Sequence, residues 1–224
     1  MKKGLILLTS ILLLSSGYGV AQLTKQQLKE RQELAKQTKK QLNEKASKAA
    51  RKEAKQLTKE GWKVAPGALP LEKQLDKSYL MQMEYEADGT PKFIMAEGMS
   101  TAGNYDAGKM QAIELAKQNL AGQIQTEITA LIENTVANNQ MEQSEATSLT
   151  KTVMVSKNLI SQKIGRVVPI VETYRVVNGN NREVLVRLVY SMDEAKKVAR
   201  DAIREELEQK GDKLHNQLDE KLGW

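Results

Sequence analysis

The chain has no cysteine, one histidine, four prolines and aromatic residues at only 4% of 224 positions. Without cysteine there are no disulfides, no thiolate metal sites and no lipid anchor of the kind attached to a cysteine at a bacterial cleavage point. One histidine, His215, leaves no His-based zinc site and makes a Ser-His-Asp arrangement an unattractive reading. So few aromatics leave no platform for stacking bases, which argues against nucleic-acid recognition. No run reaches the roughly 20 apolar residues that a membrane-spanning helix needs. Calcium loops of the D-x-[DN]-x-[DN]-G type are missing too. The expectation is a chain without metal, cofactor or catalytic set, and so not an enzyme; an uncharacterised hydrolase is the remote alternative.

What is present begins with a leader. Lys2 and Lys3 precede an apolar run, Gly4 to Leu14, and small residues lead to a cleavage expected between Ala21 and Gln22. The apolar run is about ten residues, too short to span a bilayer, although an uncleaved N-terminal anchor is the alternative. The expected location is the periplasm or the extracellular face of a bacterial envelope. Charge is concentrated rather than general. Residues 22–63 hold 13 basic and 5 acidic groups, net +8, whereas residues 64–191 and 192–224 are each net −2. An exported basic segment suits anionic envelope surfaces or an acidic partner helix.

Periodicity divides the chain into a leader at 1–21, a polar helix at 22–61, a linker at 62–77, a core at 78–192 and a charged helix at 193–224. The first helix has no Pro or Gly between 24 and 60, and Leu28, Ala35, Leu42 and Ala49 recur every seven residues. That thin seam fits a solvated stalk, or else a coiled coil or partner-binding helix. Gly61 ends it, and Trp62 is read as a plug against the core, with partner contact as the alternative. Trp62 and the four seam residues are therefore the candidate contacts for a protein partner or a second copy.

In the core, Leu80 to Glu86 alternates and is followed by Asp88-Gly89-Thr90-Pro91, which predicts a first hairpin. A second is predicted around Asn178-Gly179, with Pro169 marking an edge position or a bulge. Between them, Met110, Ile113, Ala116, Leu120, Ile124, Ile128 and Leu131 predict one helix over 107–136, and Ser144–Ile160 a second. A final helix is expected from Ser191, with Glu194 completing a capping box and Gly211 bending it. Met81, Met83, Met95 and Met99 read as core fillers, with a soft partner-binding groove as the lesser option. Glu84 and Glu86 read as a solvent-facing pair. The expected fold is α+β: an antiparallel sheet of about four strands in two hairpins, two central helices on one face, and long flanking helices.

One stretch invites a chemical reading. "GNYDAGKM", residues 103–110, follows a predicted strand and opens a helix, as a phosphate-binding P-loop does, but Met110 replaces the required Ser or Thr. Hairpin topology is also wrong for a loop built on βαβ units. Its expected role is therefore a joint, with Asn104 or Asp106 capping the helix, and no nucleotide is expected.

The segments "FIMAEGMSTAG", "DAGKMQAIELAKQNLAGQIQTEI", "SKNLISQKIGRVVPIVETYRV" and "NREVLVRLVYSMDEAKK" resemble the LPP20-like envelope lipoproteins and related domains of flagellar outer-membrane accessory proteins. The resemblance covers roughly residues 78–192 and implies an exported, non-enzymatic α+β domain with a structural or accessory role. The lipidated cysteine of such proteins is missing. The flanking helices resemble those of uncharacterised exported proteins of Bacteroides-type bacteria.

Overall fold

The computed structural model describes residues 44–222 other than 88, 139 and 166, together with Lys29, Glu33 and Lys36. The leader, Ala21, Gln22, Leu28, Ala35 and Leu42, and the side chain of His215, lie outside the described residues. Residues 1–44 form one unit and residues 45–224 another; in the first, Lys29, Glu33 and Lys36 are helical, with Lys36 paired to Glu33 at 3.0 Å.

The second unit opens with two short helices, α1 (Lys48–Lys59) and α2 (Leu71–Gln82). Residues 45–47 are not helical, so the helix expected without interruption from 24 to 60 is broken there. Tertiary contacts win at this point: Ala46 is buried, the Ser47 hydroxyl accepts from the Ala50 N–H, and Asp76 of α2 accepts from the Ser47 N–H at 2.9 Å. The buried stripe of α1 is Ala50 and Ala54, which leaves Ala49 of the heptad seam exposed. Gly61 then ends α1 at φ +89°, with the Trp62 N–H bonded to Leu57 O and the Gly61 N–H to Thr58 O, the paired bonds of a Schellman cap.

Helix α2 is the main correction to the sequence reading. Residues 71–82, placed in the linker and the start of a strand, bury Leu71, Gln74, Leu75 and Ser78 at helical spacing. The alternation after Leu80 gives no buried face: Met81 is half-buried, but Leu80, Met83 and Tyr85 are all exposed. Of the first hairpin the second strand survives, while its pairing with the first is reduced, among the described residues, to an isolated Tyr85–Pro91 bridge. The sheet therefore has three strands, not four: β1 (Phe93–Ala102), β2 (Pro169–Val177) and β3 (Asn181–Ser191). It is antiparallel in the order β1-β3-β2. The β2–β3 hairpin turns through Asn178 (φ 29°) and Gly179 (φ 76°). Strand β2 lies at an edge, and a bulge at Ile170 carries both Ile170 and Val171 into the α1/α2 cluster with Leu71 and Leu75.

Helices cover both faces of the sheet rather than one. The long helix α3 (Tyr105–Ala137) packs Ala112 and Ala116 on Val184, Val186 and Leu188. On the other face, α2 sits over β2 and β1: the Glu172 N–H donates to Gln74, and Arg187 donates to Ser78 at 2.8 Å. The second half of α3 leaves the sheet and forms a helical core with α4 (Gln143–Val155), α5 (Lys157–Lys163), α6 (Met192–Gln209) and α7 (Leu218–Leu222). The described residues thus contain seven α-helices, against the two central and two flanking helices expected. The helix expected over 144–160 is interrupted at Ser156, which is buried and donates its hydroxyl to Thr152 O. After α6, Gly211 at φ +67° makes a second Schellman cap, and the chain continues through a 3₁₀ turn, Lys213–Asn216. No hydroxyl cap forms at Ser191, so the expected capping box is not made.

Glycine sets the closest contact between helix and sheet. A Cβ on Gly98 would stand 2.0 Å from Ala112 O, and one on Gly108 2.9 Å from Val184 Cγ2. The α3 stripe therefore starts with Gly108, Ala112 and Ala116, while Met110, expected to begin it, is 70% exposed. A helix pressed this tightly on a sheet accepts only small residues there.

Candidate interaction cleft

Two polar arrangements could do chemistry. The first absorbs the P-loop-like stretch. Asn104 caps α3, its side chain accepting from the Ala107 N–H at 2.9 Å. One turn in, the Tyr105 hydroxyl donates to Glu172 of β2, and Lys109 Nζ lies 2.8 Å from the same carboxylate oxygen. Tyr174 meets the Tyr105 ring edge-on at 5.2 Å. Burial, and then the Glu172 hydrogen bond and charge, push the Tyr105 phenol well above its usual range. Lys109 is thus already committed to a carboxylate on the sheet, and the cluster ties α3 to edge strand β2.

Trp62 is placed equally firmly. It is 5% exposed, and the Arg175 guanidinium stacks over its ring at 4.6 Å while pairing with Glu183. Next to it, Lys63 exchanges both backbone hydrogen bonds with Tyr174, at 2.7 and 2.8 Å. Trp62 therefore packs the α1 end onto the sheet, with its ring turned inward. With Ala49 exposed on α1, these two candidates are not brought together.

The second arrangement was not foreseen. A cleft of about 680 Å³ opens along the free edge of β1. Tyr79 and Gln82 of α2 form one wall, and Asn119, Gln123 and Thr126 of α3 the other. Met95, Glu97 and Arg187 lie on the sheet side. Arg187 is held to Glu97 at 2.7 Å and to Ser78, so its charge is internally balanced. Lys157, at the start of α5, also lines the cleft, where a Cβ on Gly122 would meet its Nζ at 3.5 Å. No carboxylate pairs with Lys157 among the described residues. The groups here present hydrogen-bonding side chains, the Arg187–Glu97 pair and the Lys157 ammonium.

The methionine reading divides at the same place. Met81 and Met95 are half-buried, whereas Met83 and Met99 are exposed. Glu84 and Glu86 are both exposed, as expected of a solvent-facing pair. Among the described residues no group of three or more His, Cys, Asp or Glu could hold a metal ion, and no helix is long and apolar enough to cross a membrane.

Among the described residues these features define an α+β domain on a three-stranded antiparallel sheet whose β1 edge no further strand meets. No protein-family model, curated protein or solved structure matches the chain.

Proposed function

We propose that this is an exported, non-enzymatic protein of a bacterial cell envelope that acts by binding other proteins in a structural or accessory role. The observation that carries the reading is the contrast between the cleft at β1 and the rest of the sheet. The acids and bases near the sheet neutralise one another, as Lys109 with Glu172 and Arg187 with Glu97, while among the described residues no strand, and only the Asn119 amide, meets the outer edge of β1. Export rests on the leader-like residues 1–21, and the accessory role on the resemblance to LPP20-like domains. The test has two arms. Residues 1–30 are fused ahead of a reporter active only outside the cytoplasm, and a photocrosslinker at Gln82 samples the cleft in living cells. An active reporter and a discrete crosslinked protein are expected. A silent reporter removes the location; an active one without any protein crosslink removes the binding role.

A second reading has its own observation. Lys48, Lys52, Lys55 and Lys59 are all exposed at helical spacing on α1 and form part of the net charge of +8 over residues 22–63. Such a stripe suits anionic glycan or lipid headgroups. Co-sedimentation with cell-wall sacculi or anionic vesicles, lost at high salt, is its signature.

A further inference from the structure

The register of the sheet shows which backbone groups of β1 are open. Tyr174 spends its N–H and C=O on Lys63, outside the sheet, so its β3 partner Val184 must turn its own groups toward β1. Val184, Val186 and Leu188 then face Ser100, Gly98 and Ala96, and the alternate residues Met95, Glu97 and Met99 present N–H and C=O outward. The Asn119 amide confirms the direction, donating to Glu97 O at 2.7 Å from beyond the edge. Among the described residues it is the one group that meets this row.

The two edges of the sheet are treated differently. On β2, Lys63 bonds Tyr174, Gln74 accepts from the Glu172 N–H, and Pro169 and a bulge interrupt the end. Those are the usual devices that keep an edge from pairing. On strand β1 the described residues place one such group, the Asn119 amide on Glu97 O, and no other. The strand runs ten residues with no Pro, Lys or bulge, and Met99 is 50% exposed at its outer half.

We infer that the β1 edge receives an extended peptide segment of another protein as a fourth strand, with an acidic residue of that segment on Lys157. This rests on the protein-binding reading above and specifies its partner. The walls formed by α2 and α3 rise on either side of the edge, so a single slender strand enters where a second copy would bring its own α2 and α3 against them. Met95 to Met99 offers about five residues, roughly 17 Å, of ladder. Main-chain bonds supply affinity, and alternate side chains of the guest meet Met95 and Met99 on the α2 face, soft side chains that adapt to varied shapes. Lys157 supplies charge complementarity, since Arg187 is already balanced by Glu97.

The probe is a phage library of random ten-residue peptides panned against the purified chain. Enriched peptides should alternate apolar or β-branched residues and carry an Asp or Glu. Their Kd should rise at least about tenfold against Met99→Pro, which removes an outward donor and no bond to β3. Lys157→Glu should weaken them roughly threefold at low salt. Independently of any variant, the Met95, Glu97 and Met99 amides of the parent should gain hydrogen-exchange protection when peptide binds. Peptides that bind Met99→Pro as well as the parent and leave those amides unprotected overturn this site while leaving a protein-binding role intact. A dimer abolished by Met99→Pro in sedimentation velocity replaces the guest with a second copy and likewise overturns it. A library that yields no binder overturns the inference, and the cell crosslinking above then decides whether the wider reading falls too.

Discussion

Replacing Gly98 with alanine tests how tightly α3 is pressed on the sheet. The new Cβ would stand 2.0 Å from Ala112 O and 2.5 Å from Ala116 N, both backbone atoms of α3. A carbon and an oxygen normally approach to about 3.3–3.6 Å, so the helix or the strand must retreat by more than an ångström. A gap of roughly 0.5–1 Å already forfeits a quarter to a half of a dispersion contact. The contacts at stake include Ala112, Ala116, Val184, Val186 and Leu188, all buried in one cluster. The cost should therefore reach the upper end of overpacking, about 3 kcal/mol. At about 2–4 °C per kcal/mol for a domain of this size, the thermal midpoint should fall by roughly 6–12 °C. The assay is urea and thermal unfolding followed by circular dichroism, with Gly103→Ala as the control. Gly103 has nothing within 4 Å of its added Cβ and no positive φ, so its variant should stay within about 0.5 kcal/mol of the parent. Equal stability of the two variants would refute the close-packing argument.

Three other outcomes follow from the same geometry. Glu172→Gln removes the carboxylate shared by Tyr105 and Lys109, and should destabilise by about 1–2 kcal/mol after allowing for partial exposure of Lys109; in an absorbance titration the Tyr105 phenol should ionise at lower pH than in the parent, yet still above the usual range, because burial is the larger cause. Since the folded pKa of Tyr105 is raised, its stabilisation is complete below the ordinary value of 10.0 and is lost as pH climbs from there toward the folded pKa; unfolding by alkali should be less steep when Tyr105 is replaced by Phe. Trp62→Ala removes a buried ring stacked by Arg175 and should cost about 3–5 kcal/mol in denaturant unfolding.

The reading of two hairpins, one around residues 88–91 and one around Asn178-Gly179, set an expectation of about four strands that the sheet, with three, does not meet. Periodicity located α3, the β2–β3 hairpin and the helix after Ser191, because each carries a long or strongly patterned run. It failed at residues 71–86, where a short apolar alternation competed with good helix formers. The burial of Leu71, Leu75 and Ser78 against the sheet settled that contest in favour of a helix. The cleft had no sequence signature. Its residues come from α2, β1, α3, α5 and β3, and its key property is an unpaired backbone row, which any strand would have until a neighbour covers it. Among side chains, the exposed Met99 was the available hint, and a methionine at strand spacing reads first as core.

Composition alone excluded thiol chemistry and any metal site built on two or more histidines, since absent residues cannot be supplied by folding. Local rules likewise determined the joint at Gly103-Asn104 and the stop at Gly61, because caps depend on neighbours in the chain; at Gly211, expected only to bend the last helix, the chain instead stops it. Tertiary structure decided what lies far apart in sequence. It gave Lys109 to Glu172, turned Trp62 inward under Arg175, placed helices on both faces of the sheet, and set Lys63 and Gln74 on the β2 edge while, among the described residues, only Asn119 meets the β1 edge. Those outcomes depend on which surfaces meet, and a linear pattern records the tendency of a face to be buried without naming what buries it.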